Sequence, residues 1–294
     1  MSPTERPARW LRWIGLGVLA VLGLCVIGAV AIMVRICTDA KSVASQNYRQ
    51  LPFFVGLPPV LDIAHRGASK LAPEHSLAAY QLALDQGAHV LEIDLRLLRD
   101  RELVIAHDRT LRRTHGVETA YADLDWAALE RLDRERVPLR LAYVLGHFPS
   151  VRFNLELKDE ALDAARVLAD IIEAAGAHGR VLVASSHEAV LAAFREATTG
   201  RVATSASTAE ALRYYFCFLM QRTCVTPYSA LQLPAADWLG ITGANFVLRA
   251  HEQGLAVHFW TVDDPEKMRA LLAAGADGIM TNRPDVLARL LPVR

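Results

Sequence analysis

Two histidines and three carboxylates stand out because each closes a short apolar run: Ile63-Ala64-His65, Leu91-Glu92-Ile93-Asp94, Val104-Ile105-Ala106-His107 and Asn154-Leu155-Glu156. A strand alternates its faces with period two, so Glu92 and Asp94 point the same way, as do Glu156 and Lys158. Carboxylates gathered at one point repel each other unless protons or a cation neutralise them. An all-oxygen donor set selects a hard ion, Ca2+ or Mg2+, over zinc. Glu92, Asp94 and Glu156 are therefore candidate metal ligands, with imidazoles at hand for proton transfer. Taken alone, Glu92 and Asp94 could equally pair with arginines on helix ends.

Such residues must be carried to one place, and the ends of parallel barrel strands do this. From Val60 the chain alternates short apolar runs with amphipathic stretches. Val60–Ala64, Ala88–Ile93, Glu102–Ala106, Val151–Leu157, Arg180–Ser185, Val202–Thr204, Ala256–Val262 and Asp277–Thr281 read as extended. Ser76–Gln86, Ala161–Ala175, Glu188–Ala197, Thr242–Gln253 and Pro265–Ala274 read as helices. Alternation at this pitch predicts an α/β fold, a TIM-type (β/α)8 barrel with parallel strands and crossover helices. Gly275 stops a helix before the last strand, and Pro284 suits the first turn of a terminal one.

The chain has 294 residues, room for a barrel of about 250 residues plus an appendage. That appendage is the uncharged apolar segment 13–34, since about 20 such residues span a bilayer as a helix. The expected organisation is a tail 1–12, a transmembrane helix 13–34, a juxtamembrane linker 35–58 and the barrel domain 59–294. A cleaved signal peptide is the alternative, given the basic Arg6, Arg9 and Arg12 and the small residues Ala29-Val30-Ala31. Apolar residues continue through Ile32, Met33 and Val34, which favours a single-pass anchor in the cell membrane. The barrel is expected on the extracytoplasmic side. Lys plus Arg and Asp plus Glu balance at 32 each, which removes any global pull toward nucleic acid. A disulfide between Cys217 and Cys224 is possible outside the cell but does not follow from their spacing, and two buried free thiols are the expectation. Oligomeric state is not readable.

In their order and spacing, His65-Arg66-Gly67, Ala72-Pro73-Glu74, Glu92-Ile93-Asp94, His107-Asp108 with Leu111 and Arg113-Thr114, Asn154-Leu155-Glu156-Leu157-Lys158, Trp260-Thr261-Val262 and Gly275-Ala276-Asp277-Gly278 form one set. Over Leu61 to Leu290 the chain resembles the glycerophosphodiester phosphodiesterases. The resemblance implies a barrel, a divalent metal and hydrolysis of a glycerol-linked phosphodiester, with His65 and His107 as the acid/base pair in unassigned order. Arg66 and Lys158 would meet the anionic phosphoryl group, and Trp260, on the seventh barrel strand, resembles the family's substrate-pocket aromatic. The expected substrate is a glycerophosphodiester or a lysophospholipid. The rivals are a barrel phospholipase D that forms a cyclic phosphate, and a non-catalytic lipid-binding barrel.

The chain departs from the family after Pro-Glu, where Asn and Thr are usual and His75 and Ser76 stand, and at His115, where a second Thr would follow Thr114. Serine can still cap the helix. His75 lies near enough in sequence to adjust metal or substrate contacts. The remaining histidines read as ordinary surface or core residues. The stretch Ala211–Met220 is more apolar than an outer barrel helix needs, consistent with wall packing or with a membrane-facing surface.

Overall fold

The computed structural model describes residues 47–133 and 137–292. Its strands, in chain order, are β1 (Leu61–Ala64), β2 (Val90–Leu97), β3 (Leu103–Ile105), β4 (Arg152–Leu157), β5 (Val181–Ala184), β6 (Ala203–Thr204), β7 (Ala230–Pro234), β8 (Ala256–Trp260) and β9 (Gly278–Thr281). The helices are α1 (Leu77–Asp85), α2 (Arg112–His115), α3 (Trp126–Leu132), α4 (Leu141–His147), α5 (Leu162–Ala174), α6 (Glu188–Ala197), α7 (Thr208–Leu219), α8 (Ala244–Glu252), α9 (Pro265–Ala273) and α10 (Pro284–Ala288). Eight strands are parallel and pair in the order β6-β5-β4-β2-β1-β9-β8-β7. A parallel bridge from Ser205 to Ala230 draws the two edges together. The result is the expected barrel, nearly closed, with helices covering the outer face of the strands and inward side chains filling the interior.

Two strands differ from expectation. The extended piece at Glu102–Ala106 is not a wall strand: β3 runs antiparallel to β2, Leu95 opposite Ile105, as a side hairpin. The wall strand β7 has no counterpart among the expected ones, because Gln232 and Pro234 interrupt its apolar run. Proline is tolerated there as the terminal residue.

Leu61, Ile63, Val90 and Leu182 fill the lower interior together with Phe53 and Phe54. The stretch expected as a linker is therefore structural from residue 47 onward. Tyr48 donates its hydroxyl to Asp277 Oδ1 at 2.5 Å and its amide to Gly254 O at 2.9 Å, which fixes the segment on the barrel's base. The expected span 13–34 lies outside the described residues. Among the described residues, no helix is long and apolar enough to cross a membrane.

Cys217 and Cys224 correct another expectation: they form a disulfide, with Cα atoms 5.9 Å apart. The chain doubles back after α7, a turn that a seven-residue spacing does not reveal.

Alternation along β1 sends Leu61 and Ile63 inward and Asp62 outward, toward α10. The Asp62 carboxylate is fully buried and neither oxygen has a partner. Burial first, then the charge of Asp285, pushes its pKa well above the ordinary carboxylate range. A carboxyl whose folded pKa is raised contributes fully below its unfolded pKa near 4 and loses that contribution as pH rises toward the folded value. Asp62→Val should therefore gain about 1–3 kcal/mol at pH 7. The gain should shrink toward pH 4, as read by thermal unfolding at both pH values.

Candidate active site

The candidate residues stand toward the ends of strands or in the loops that follow, except Glu92, the third residue of β2. His65-Arg66-Gly67 turns out of β1 with Arg66 at φ 56° and Gly67 at φ 80°. A Cβ on Gly67 would lie 2.9 Å from backbone and side-chain carbon of Ala79, so only glycine lets this turn sit on α1. Ser76 caps that helix as expected, its Oγ accepting from Ala79 N at 3.1 Å. The turn delivers the Arg66 amide to Glu92 Oε2 at 2.9 Å.

Asp94 on β2 lies directly opposite Glu156 on β4, and Glu92 sits two residues earlier on the same face. One carboxylate oxygen from each of the three lies within 4.8 Å of the others. Glu92 and Asp94 are each 1% exposed, while Glu156 opens to the mouth at 31%. Burial, then the charges of Asp94 and Glu156, raises Glu92 well above the carboxylate range. Burial acts on Asp94 too, but His75, Lys158 and Arg66 outweigh it and keep Asp94 ionised.

Lys158 Nζ lies 3.0 Å from Glu156 Oε1 and 3.2 Å from Asp94 Oδ1. Arg66 Nε lies 3.2 Å from Asp94 Oδ2. Burial disfavours the Lys158 charge, but Asp94 and Glu156 more than restore it and raise its pKa. Arg66 and Lys158 offset two of the carboxylates, and the raised pKa of Glu92 puts a proton where the charge of a divalent ion would otherwise relieve the repulsion. The donor set and its spacing fit a hard divalent ion.

His75, set apart only by its departure from the family pattern, is inside the site. Its Nε2 is 3.0 Å from Asp94 Oδ2 and its Nδ1 is 2.9 Å from the hydroxyl of buried Tyr80.

The two candidate acid/base histidines are braced differently. Asn282 gives its Nδ2 to Asp263 at 2.8 Å, which turns its Oδ1 toward His65 Nδ1 at 2.7 Å. His65 must then carry its proton on Nδ1, leaving a lone pair on Nε2. Burial lowers the pKa of His65 despite that hydrogen bond, so the ring is neutral at pH 7. His107 follows β3, where Ala106 N bonds Asp94 O at 3.0 Å. Its Nδ1 donates to the Asp108 carboxylate at 2.8 Å. Burial raises Asp108, but the hydrogen bonds from His107 and Arg113 prevail and hold it below its usual range. Trp260 ends β8 at the rim, 43% exposed, three strands round the wall from β2.

Asn282, Asp263, Asp108 and Tyr80 were not among the candidates. Asn282 carried a signal as a polar residue directly after the last strand, and Asp108 stood in the His107-Asp108 motif without a role of its own.

A nearly closed parallel barrel whose mouth gathers acidic side chains and differently braced imidazoles has the build of a TIM-barrel hydrolase. Residues 65–286 match the family described as glycerophosphoryl diester phosphodiesterases. A probable glycerophosphodiester phosphodiesterase of Mycobacterium tuberculosis is 34% identical over 249 residues, covering 79% of this chain and 90% of the relative. A human lysophospholipase D is 24% identical over 269 residues, covering 78% and 84%. An Oleispira antarctica phosphodiesterase, solved with the product sn-glycerol-3-phosphate, shares the fold with a TM-score of 0.62 at 22% identity, covering 79% of this chain and 96% of that one. The chain belongs to the glycerophosphoryl diester phosphodiesterase family, which makes it a phosphoric diester hydrolase.

Proposed function

We propose that this chain hydrolyses glycerophosphodiesters to glycerol 3-phosphate and an alcohol by metal-assisted general acid/base catalysis. The carrying observation is the carboxylate trio of Glu92, Asp94 and Glu156 within 4.8 Å, beside an imidazole whose Nε2 is free to accept a proton.

Glu92, Asp94 and Glu156 would hold one Ca2+ or Mg2+ ion. Such an ion offsets several kcal/mol of charge on phosphoryl oxygens. Arg66 and Lys158 add positive charge on the same side, so an anionic diester meets cations rather than bare carboxylates. His65 Nε2 takes a proton from the attacking water as its oxygen bonds to phosphorus. His107 gives its Nε2 proton to the alcohol oxygen as the P–O bond breaks, and Asp108 stabilises the imidazolium that precedes this step. Trp260 packs on the glycerol or alcohol moiety.

His75 holds Asp94 directly through Nε2, while the Tyr80 hydroxyl fixes the ring at Nδ1. Because partners that orient a metal ligand are worth roughly 10–100-fold in affinity, His75→Ala should weaken divalent binding by about that factor, read by calorimetric titration.

A second substrate class, the lysophospholipids, is favoured by the human lysophospholipase D relative; it would give lysophosphatidate and an alcohol. The segment 13–34 is proposed to anchor the chain in the cell membrane with the barrel outside the cytoplasm, a side supported by the Cys217–Cys224 disulfide.

The test is to incubate the detergent-solubilised full chain with glycerophosphodiesters and lysophospholipids, each with Ca2+ or Mg2+, and follow the products by phosphorus NMR. Glycerol 3-phosphate is expected. A cyclic phosphate would mean that the substrate's own hydroxyl attacks. Calorimetric binding with no product would mean a lipid-binding barrel.

A further inference from the structure

Outer barrel helices normally turn charge to water, and α5 does so: of its exposed residues after the first turn, Arg166, Asp170 and Glu173 are charged and the terminal Ala174 is not. The corresponding face of α7 is different. Its inner face buries Glu210, Tyr214 and Cys217, yet its outer face shows Leu212 at 52%, Phe216 at 39% and Leu219 at 55% exposure, followed by Met220 at 37%. No charged residue interrupts this stripe, whose spacing places it along one line of the helix. Leu248 on neighbouring α8 adds 57% exposure. A cleft of about 520 Å³, lined by Leu219, Asn245 and Arg249 among others, lies between the two helices.

The stripe runs to the barrel's base, the end where the chain arrives from segment 13–34. Beyond α7 the disulfide returns the chain to Cys224, whose amide donates to Gln253 Oε1 at 2.9 Å. The next residue, Gly254, accepts the Tyr48 amide at 2.9 Å. The apolar end of α7 and the start of the described chain thus meet at the same short segment. Residues 35–46 reach at most about 40 Å when extended, enough to deliver the barrel to the bilayer but not to orient it. An uncharged apolar patch beside the tether's attachment point supplies the orienting contact.

We propose that the outer face of α7, with Leu212, Phe216, Leu219 and Met220, lies on the lipid surface of the membrane holding segment 13–34, so that the barrel rests on its α7 flank beside the tether. This rests on the anchor proposed above.

The test uses the full chain reconstituted in phosphatidylcholine vesicles, with a photo-crosslinking amino acid in place of Phe216 or Leu219. Leu162, 44% exposed on the mouth-side first turn of α5, serves as control. Light should add the mass of a lipid at 216 and 219 and not at 162. Crosslinking of α7 to a second copy or to segment 13–34, absence of adducts at both α7 positions, or equal lipid labelling at 162 would each overturn the proposal. Alkaline carbonate extraction of the same vesicles reads the anchor separately. Release of the chain would overturn the anchor and the proposal together; retention without lipid adducts on α7 would overturn the proposal alone.

Discussion

Glu156→Gln is expected to abolish measurable turnover while leaving the protein folded. The substitution keeps the side chain's size but removes one of three negative charges proposed to hold the cation. Charge stabilisation of several kcal/mol depends on that cation, and each 1.4 kcal/mol is a factor of ten, so the loss should reach about 10³-fold or more in kcat/KM. Glu156 is partly open at the mouth, and its ion partner Lys158 keeps Asp94 as a second acceptor. The unfolding midpoint should therefore stay close to that of the parent, because substitutions at partly exposed positions of this kind usually shift stability within about 0.5 kcal/mol. Parallel thermal melts and steady-state rates check both halves. An active Glu156→Gln protein would remove Glu156 from the metal site.

His65→Ala and His107→Ala should each lose about 10²–10⁴-fold in kcat, but they should differ in what rescues them. A departing phenol, far more acidic than an alkyl alcohol, needs little proton donation. His107→Ala should therefore recover most of its rate on an aryl glycerophosphodiester, whereas His65→Ala should stay slow on both substrates. The double variant should be little worse than the slower single one, since the two act in one concerted exchange. The acid limb of the parent's pH profile should fall below the ordinary imidazole value near 6.5, because burial lowers the pKa of His65. Reversed rescue would exchange the two roles.

The residues that local pattern could reveal were those whose geometry is local. Glu92 and Asp94 share a face because strands alternate, and β2 carries them as that period requires. Glu156 and His107 were placed by the apolar runs they close, and the barrel followed from alternation of strands and helices. What escaped depends on contacts between distant segments. Asn282 braces His65 across 217 residues, and Asp263 in turn orients Asn282; neither carries a motif of its own. His75 looked like a mere departure until Asp94 and Tyr80 closed on either side of its ring. The disulfide formed only because α7 ends in a return loop. Strand β7 hid behind an inward-facing glutamine: Gln232 donates to Asn154 Oδ1 at 2.7 Å across the barrel, a polar contact in a place where apolar filling is the usual rule.

Metal dependence is tested most directly by measuring hydrolysis of a choline-headed glycerophosphodiester by the full chain, stripped with a chelator and then titrated with Ca2+ or Mg2+. Activity should vanish on stripping and return to its full value as a single class of site fills. Full activity with the chelator present would contradict it.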